Sequence, residues 1–330
     1  MNHIPNIVRH QLDLIKNKKL FFVPDIQSYK KGFEILNKCI KRLDAGSEYI
    51  LMFGHEIITE SVILDKIYEI IETHLPKKGY ISMATASEYP YSVHPITNLI
   101  MWRDVVSRLE VSWSTDKVGK LFNKNNYADI PTLIDTKKYR GILSVRKQNV
   151  IRDYLFSNNP KILNGITRYV NITHDSSRET ALDREKSTKF PSIHDLQTEY
   201  KQSYFSFVVE SERGHTFENS FSQVTEKTIM AILNGTMPII LGNKNLISDL
   251  EKMGIKVWNN DFGFNIADNY SNYSNQKCDR FLEIIDKIND MSMESIRDYW
   301  INNIDILQKN YDIIYTILFD DEFKECKTGL

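Results

Sequence analysis

The segment Phe205 to Gly242 reads FSFVVESERGHTFENSFSQVTEKTIMAILNGTMPIILG, and it decides the fold of the second half of the chain. Its first apolar run ends at Glu210, and a second run, Met237 to Leu241, precedes the final glycine. Between them lie a polar loop and a helical stretch that stops at Asn234-Gly235. Strand, loop, helix, turn and strand in this order predict a βαβ unit of a parallel sheet.

Two motifs in this segment resemble a known family. Thr225-Glu226-Lys227 opens the helix, and the run GTMPIILG occupies residues 235–242. With the apolar strand that ends at Glu210, these motifs resemble the donor-binding segment of fucosyltransferase-like glycosyltransferases, the alpha-1,3-fucosyltransferase C-terminal signature. The family's Glu-Asn-Ser element also occurs inside the loop, at residues 218–220, so both glutamates are candidates for its role.

The resemblance implies a GT-B glycosyltransferase, an α/β protein of two Rossmann-like domains facing a cleft, with a C-terminal helical tail. It implies inverting transfer of a sugar from a nucleoside-diphosphate sugar, with GDP-sugars included, to an acceptor hydroxyl. The family's Glu and Lys hold the ribose diol and the diphosphate, which assigns these roles to Glu226 and Lys227. A cation at Lys227 would stabilise the charge that develops on the leaving diphosphate. The alternative is a solvated helix end capped by Thr225.

Basic residues after the predicted strand 141–145 are further donor-binding candidates. Arg146 follows the strand and Arg152 lies in the predicted helix 148–156. Fucosyltransferase-like proteins place arginines in the corresponding turn, where a guanidinium can hold phosphate oxygens in two places. Lys147 is the alternative to Arg146, and both arginines can equally be surface charges. Glu210 is expected to hold the sugar or the base, or to be a loop carboxylate.

An inverting transfer also needs a general base that accepts the proton of the acceptor hydroxyl. The predicted strand 49–53 ends at Gly54-His55-Glu56 and loosely resembles the family strand that ends in Gly-Glu and carries the base. Glu56 is the first candidate, His55 the second, and Glu88 a further one. Alternatively, Glu56 interacts with the dipole of a helix that begins there.

Apolar periodicity along the chain predicts two α/β domains. We expect an acceptor-binding domain at 1–135 and a donor-binding domain with C-terminal helices at 136–330, joined by the polar stretch 121–138. The predicted strands are 20–23, 49–53, 80–84, 141–145, 205–209, 237–241 and 256–258, and the predicted helices are 29–43, 61–75, 148–156, 195–202, 225–234, 246–253, 281–288 and 292–318.

Composition narrows the function classes. The chain has 330 residues, 42% hydrophobic and 26% charged, with a formal net charge of −1, which favours a glycan or small-molecule acceptor over nucleic acid. Its three scattered cysteines and the lack of a signal-like or roughly 18-residue apolar stretch predict a cytoplasmic protein without a membrane span.

Motifs that are missing from the sequence bear on cofactors. There is no Asp-x-Asp at a predicted strand end, no zinc-ligand spacing and no glycine-rich nucleotide fingerprint. We therefore expect a metal-independent reaction whose only co-substrate is the nucleotide-sugar donor. Two alternatives stay open, a catalytically inactive nucleotide-binding protein of the same fold and a glycosyltransferase acting on modified nucleic-acid bases. The sequence leaves the oligomeric state open.

Overall fold

Two parallel β-sheets and a set of helices form the part of the chain that the computed structural model describes, which confirms the predicted α/β class. That part comprises residues 9, 13, 17, 20–23, 33–34, 37–38, 41, 49–53, 69, 81–83, 127, 129–145, 151, 154–155, 166–170, 196–210, 224, 226–242, 246–263 and 275–319. Within these residues, no helix is long and apolar enough to cross a bilayer.

The first sheet has three parallel strands in the order β1-β2-β3. They are β1 (Leu20–Val23), β2 (Tyr49–Phe53) and β3 (Ile81–Met83). All three match predicted strands. Residues 33–34, 37–38 and 69 are helical, in agreement with the predicted helices 29–43 and 61–75, whose other residues lie outside the described part apart from a turn at Lys41.

The second sheet has four parallel strands in the order β5-β4-β6-β7. They are β4 (Tyr139–Val145), β5 (Ile166–Val170), β6 (Ser203–Val209) and β7 (Met237–Leu241). Every residue of β6 and β7 is buried, as expected for parallel strands covered on both faces. The sequence predicted β4, β6 and β7 but not β5.

Six α-helices are described, and α2 is the crossover between β6 and β7. Gly235 ends α2 with φ +64°, a left-handed conformation that glycine adopts without steric cost. The helices are α1 (Gln197–Gln202), α2 (Glu226–Leu233), α3 (Leu246–Lys252), α4 (Asn275–Asp290), α5 (Met293–Asn302) and α6 (Ile304–Phe319), with 3-10 helices at Ile130–Thr136 and Asn260–Phe262.

The prediction of a strand at 256–258 is wrong. These residues join no strand ladder, because their backbone bonds mainly to an asparagine side chain and makes a single bond to β7. The Lys256 amide donates to Asn310 Oδ1 at 2.9 Å, and Asn310 Nδ2 donates to the Lys256 carbonyl at 2.7 Å. The Trp258 amide donates to the Pro238 carbonyl at 3.0 Å. An apolar run can therefore satisfy its backbone groups without joining a ladder.

The prediction of one helix at 292–318 is also wrong, because the chain breaks at Asn303 into α5 and α6. Asn303 Nδ2 donates back to the Tyr299 carbonyl at 2.8 Å. Its Oδ1 accepts from Trp258 Nε1 at 3.2 Å. A buried asparagine that bonds to the helix backbone and to a distant indole favours a break over continued helix.

The predicted linker contains ordered structure that packs against the second half of the chain. Ile130 and Leu133 of the first 3-10 helix are buried, and a Cβ on Gly235 would lie 3.0 Å from each of their Cδ1 atoms. The Ile130 amide donates to Gln308 Oε1 of α6 at 3.1 Å. The domain boundary after residue 135 stays a prediction.

Candidate functional site

The strand order of the second sheet creates a crevice between β4 and β6. The chain passes from β4 to β5 on one side and then returns past β4 to β6 on the other. In open parallel sheets, ligands bind outside the carboxyl ends of the two strands at which the direction reverses. The register pairs Leu143 with Phe207, so β4 and β6 end level. The sequence candidates Arg146 and Glu210 directly follow these two strands, and Arg146 lies outside the described residues.

Glu210, which directly follows β6, is the candidate at this crevice whose side chain the structure describes. Its side chain is buried, and Thr228 Oγ1 donates to its Oε1 at 2.6 Å. Its amide donates to the Leu241 carbonyl of β7 at 3.0 Å. The carboxylate is thus held between the sheet edge and the first turn of α2. Sequence reasoning missed Thr228, although the residue directly follows the Thr-Glu-Lys motif.

Lys227 lies beside Thr228 in the first turn of α2 and is 3% exposed. Burying an ammonium group is costly unless hydrogen bonds or opposite charges compensate it. Glu226 is the first residue of α2, and Thr225 lies outside the described residues. The helix that the motif was predicted to open is present.

The end of β7 at Gly242 lies at the same edge and is contacted by Lys277 of α4. A Cβ on this glycine would lie 2.6 Å from Leu246 Cδ2 and 3.6 Å from Glu210 Cγ, so the strand end passes close to both side chains. Lys277 of α4, which is half-buried, donates from Nζ to the Gly242 carbonyl. Sequence reasoning missed Lys277, since no local pattern links it to a glycine so distant in the chain.

The structure therefore places a buried carboxylate, a threonine hydroxyl and the Lys277 ammonium at the carboxyl edge of one parallel sheet, with Lys227 next to Thr228 in the first turn of α2. Such a set can bind an anion and orient a polar ligand beside it. Across the described ranges, no group of three or more His, Cys, Asp or Glu side chains could hold a metal ion.

The remaining candidates lie outside the described residues, and their predicted roles stay predictions. They are His55 and Glu56, which follow β2 after one glycine, the further base candidate Glu88, and the basic residues Lys147 and Arg152.

We compared the chain with protein-family models, curated proteins and solved structures. No protein-family model matches the chain, and neither the curated proteins nor the solved structures compared with it give a match. The functional argument therefore depends on the residues of segment 205–242 and on the geometry around them.

Proposed function

We propose that this chain is a glycosyltransferase that transfers a sugar from a nucleoside-diphosphate sugar to an acceptor hydroxyl. The observation that carries the proposal is one coincidence of sequence and topology. The strand that ends at Glu210 is one of the two strands between which the order of the second sheet reverses, and the helix that begins at Glu226 follows it in the chain. Local sequence patterns do not determine strand order, so the two arguments are independent.

In the proposed site, Lys227 faces the diphosphate and stabilises the charge of the leaving group. Its position in the first turn of α2 adds the favourable field of the helix N-terminus. Glu226 accepts from the ribose hydroxyls. Glu210, fixed by Thr228, borders the sugar or the base. Arg146, which follows β4, supplies a guanidinium to the phosphates. Arg152, six residues later, is the second donor-binding arginine.

The proposed architecture is GT-B, with the second sheet as the donor side and the first sheet as the acceptor side. His55 and Glu56 follow β2, and in parallel sheets the carboxyl ends of strands carry the reacting groups. Glu56 is proposed as the general base, with His55 as the alternative. The reaction proposed is inverting and needs no metal.

Nucleotide binding is the first test. Melting temperatures of the full chain are measured with UDP, GDP, CMP and dTDP, with and without Mg²⁺. At a concentration of 100 Kd, a ligand stabilises the folded state by about 2.7 kcal/mol, which corresponds to a shift of roughly 5–10 °C. One nucleoside diphosphate should produce this shift without metal, and K227A should abolish it. K309A, which removes an exposed lysine of α6, serves as the control. No shift with any nucleotide would refute the donor site.

Catalysis is tested separately, with the donor sugar of the nucleotide that binds. Release of the nucleoside diphosphate is followed for the wild-type chain, E56Q and H55A. Turnover that depends on one of these residues, with nucleotide affinity unchanged, supports the proposed base. Binding without any turnover across a panel of glycan and small-molecule acceptors would favour the inactive nucleotide-binding alternative.

A further inference from the structure

We propose that Lys277 is a second phosphate-binding lysine of the donor site and contacts the donor diphosphate together with Lys227. This inference rests on the proposed function and adds to it a residue from α4, outside the segment that resembles fucosyltransferases. The ligand group it would take is a diphosphate, either within a nucleoside diphosphate or as free pyrophosphate.

The geometry places the Lys277 ammonium at the same edge of the sheet as Glu210. Its Nζ donates to the carbonyl of Gly242, and a Cβ on Gly242 would lie 3.6 Å from Glu210 Cγ. Glu210 in turn accepts from Thr228, the residue after Lys227. The ammonium of Lys277 is therefore fixed at the carboxyl end of β7, one strand beyond the crevice between β4 and β6.

The charge balance of the proposed site favours a second lysine. Within the proposed site the charge of Lys227 only balances that of Glu210, and a diphosphate brings further negative charge that Glu210 repels. A second ammonium at the same edge offsets that repulsion and supplies charge-assisted hydrogen bonds to phosphate oxygens.

Lys287 of the same helix provides a matched control. It also donates from Nζ to a backbone carbonyl, that of Phe262, at 2.9 Å, and it lies in the last turn of α4. K277Q and K287Q therefore remove the same charge from the same helix, and each keeps an amide donor for its carbonyl. Only K277Q removes charge from the carboxyl edge of the sheet.

Binding of GDP, UDP and inorganic pyrophosphate to the full chain is measured by calorimetry for the wild type, K227A, K277Q and K287Q. We expect K277Q to weaken binding of pyrophosphate and of the preferred nucleotide by about tenfold or more, the usual effect of losing a hydrogen bond to a charged group. K287Q should bind like the wild type. Binding by K277Q within twofold of the wild type would overturn the inference.

If K277Q does not fold, a labelling experiment on the wild-type chain tests whether Lys277 contacts the diphosphate. Lysines are acetylated with and without pyrophosphate, and the modified peptides are quantified by mass spectrometry. Protection of Lys277 but not Lys287 supports the inference, and unchanged labelling of Lys277 overturns it. A wild-type chain that binds none of the three ligands refutes the proposed function itself. Wild-type binding that needs Lys227 but not Lys277 refutes only this inference.

Discussion

Replacing Thr228 with valine removes one hydroxyl and leaves the size of the side chain nearly unchanged. In the folded protein that hydroxyl donates to the Glu210 carboxylate at 2.6 Å, and the two residues are 0% and 3% exposed. A hydrogen bond to a charged group contributes about 1.5–3 kcal/mol, so T228V should lower the free energy of unfolding by about 2 kcal/mol. The melting temperature should then fall by roughly 4–8 °C.

Thr236 offers a matched control just beyond the other end of α2. Its hydroxyl is buried and donates to the neutral Ala231 carbonyl at 2.9 Å. A neutral hydrogen bond contributes about 0.5–1.5 kcal/mol, so T236V should cost roughly half as much as T228V. Both variants are unfolded in urea at pH 7, followed by circular dichroism, beside E210M and the double variant T228V/E210M. The cycle should give a coupling energy between Thr228 and Glu210 of about 1 kcal/mol or more.

Two results would refute this reasoning. T228V could prove no less stable than T236V, or the coupling between Thr228 and Glu210 could lie within about 0.5 kcal/mol of zero. Either result would mean that Glu210 is not fixed against the first turn of α2. The proposed position of its carboxylate beside Lys227 would then fail as well.

Three further changes test the core and the buried ionisable groups. G141A should destabilise the fold by about 1–3 kcal/mol in urea, because the new Cβ would lie 2.5 Å from Phe207 Cε2; a cost below about 0.5 kcal/mol contradicts this. K137M should cost about 1–3 kcal/mol, since the Lys137 ammonium donates to three backbone carbonyls at 2.6–3.4 Å, and wild-type stability would contradict it. Burial raises the pKa of Tyr299, so its contribution is fully present below the unfolded pKa of about 10 and is lost as pH rises above it. Between pH 9 and 11 the melting temperature of Y299F should therefore fall less than that of the wild type, and equal losses would refute this.

Apolar runs predicted most of the strands well. For β6 and β7, whose residues are all buried, the reason is that burial on both faces requires near-continuous apolar residues. The apolar runs at β1, β2 and β7 match their strands residue for residue. The strand β5 was missed because its sequence ITRYV mixes polar and apolar residues. It lies at the end of the described strand order, where one side of the strand has no described neighbour and polar residues are tolerated.

Side-chain hydrogen bonds between residues far apart in the chain account for the two wrong predictions. Asn310 replaces a strand partner for Lys256, and Asn303 ends α5 while it accepts from Trp258. A further long-range contact involves Lys137, in the stretch predicted to be a linker: burial lowers its pKa well below the usual range, and its ammonium lies over the ring of Trp300. Each of these contacts joins residues far apart in the chain, so no local window of sequence contains it.

Strand order is the property that turns separate candidate residues into one site. Neighbouring strands lie about 4.8 Å apart, so residues that follow β4 and β6 can reach a single ligand. If β5 lay between them, the same residues would be about 10 Å apart and would border different crevices. The chain avoids this because β5 pairs with the opposite side of β4. Periodicity predicted most of these strands but not their neighbours. The sequence already suggested that Arg146 and Glu210 follow strand ends facing one crevice, whereas the reversal of strand order between β4 and β6 required the structure.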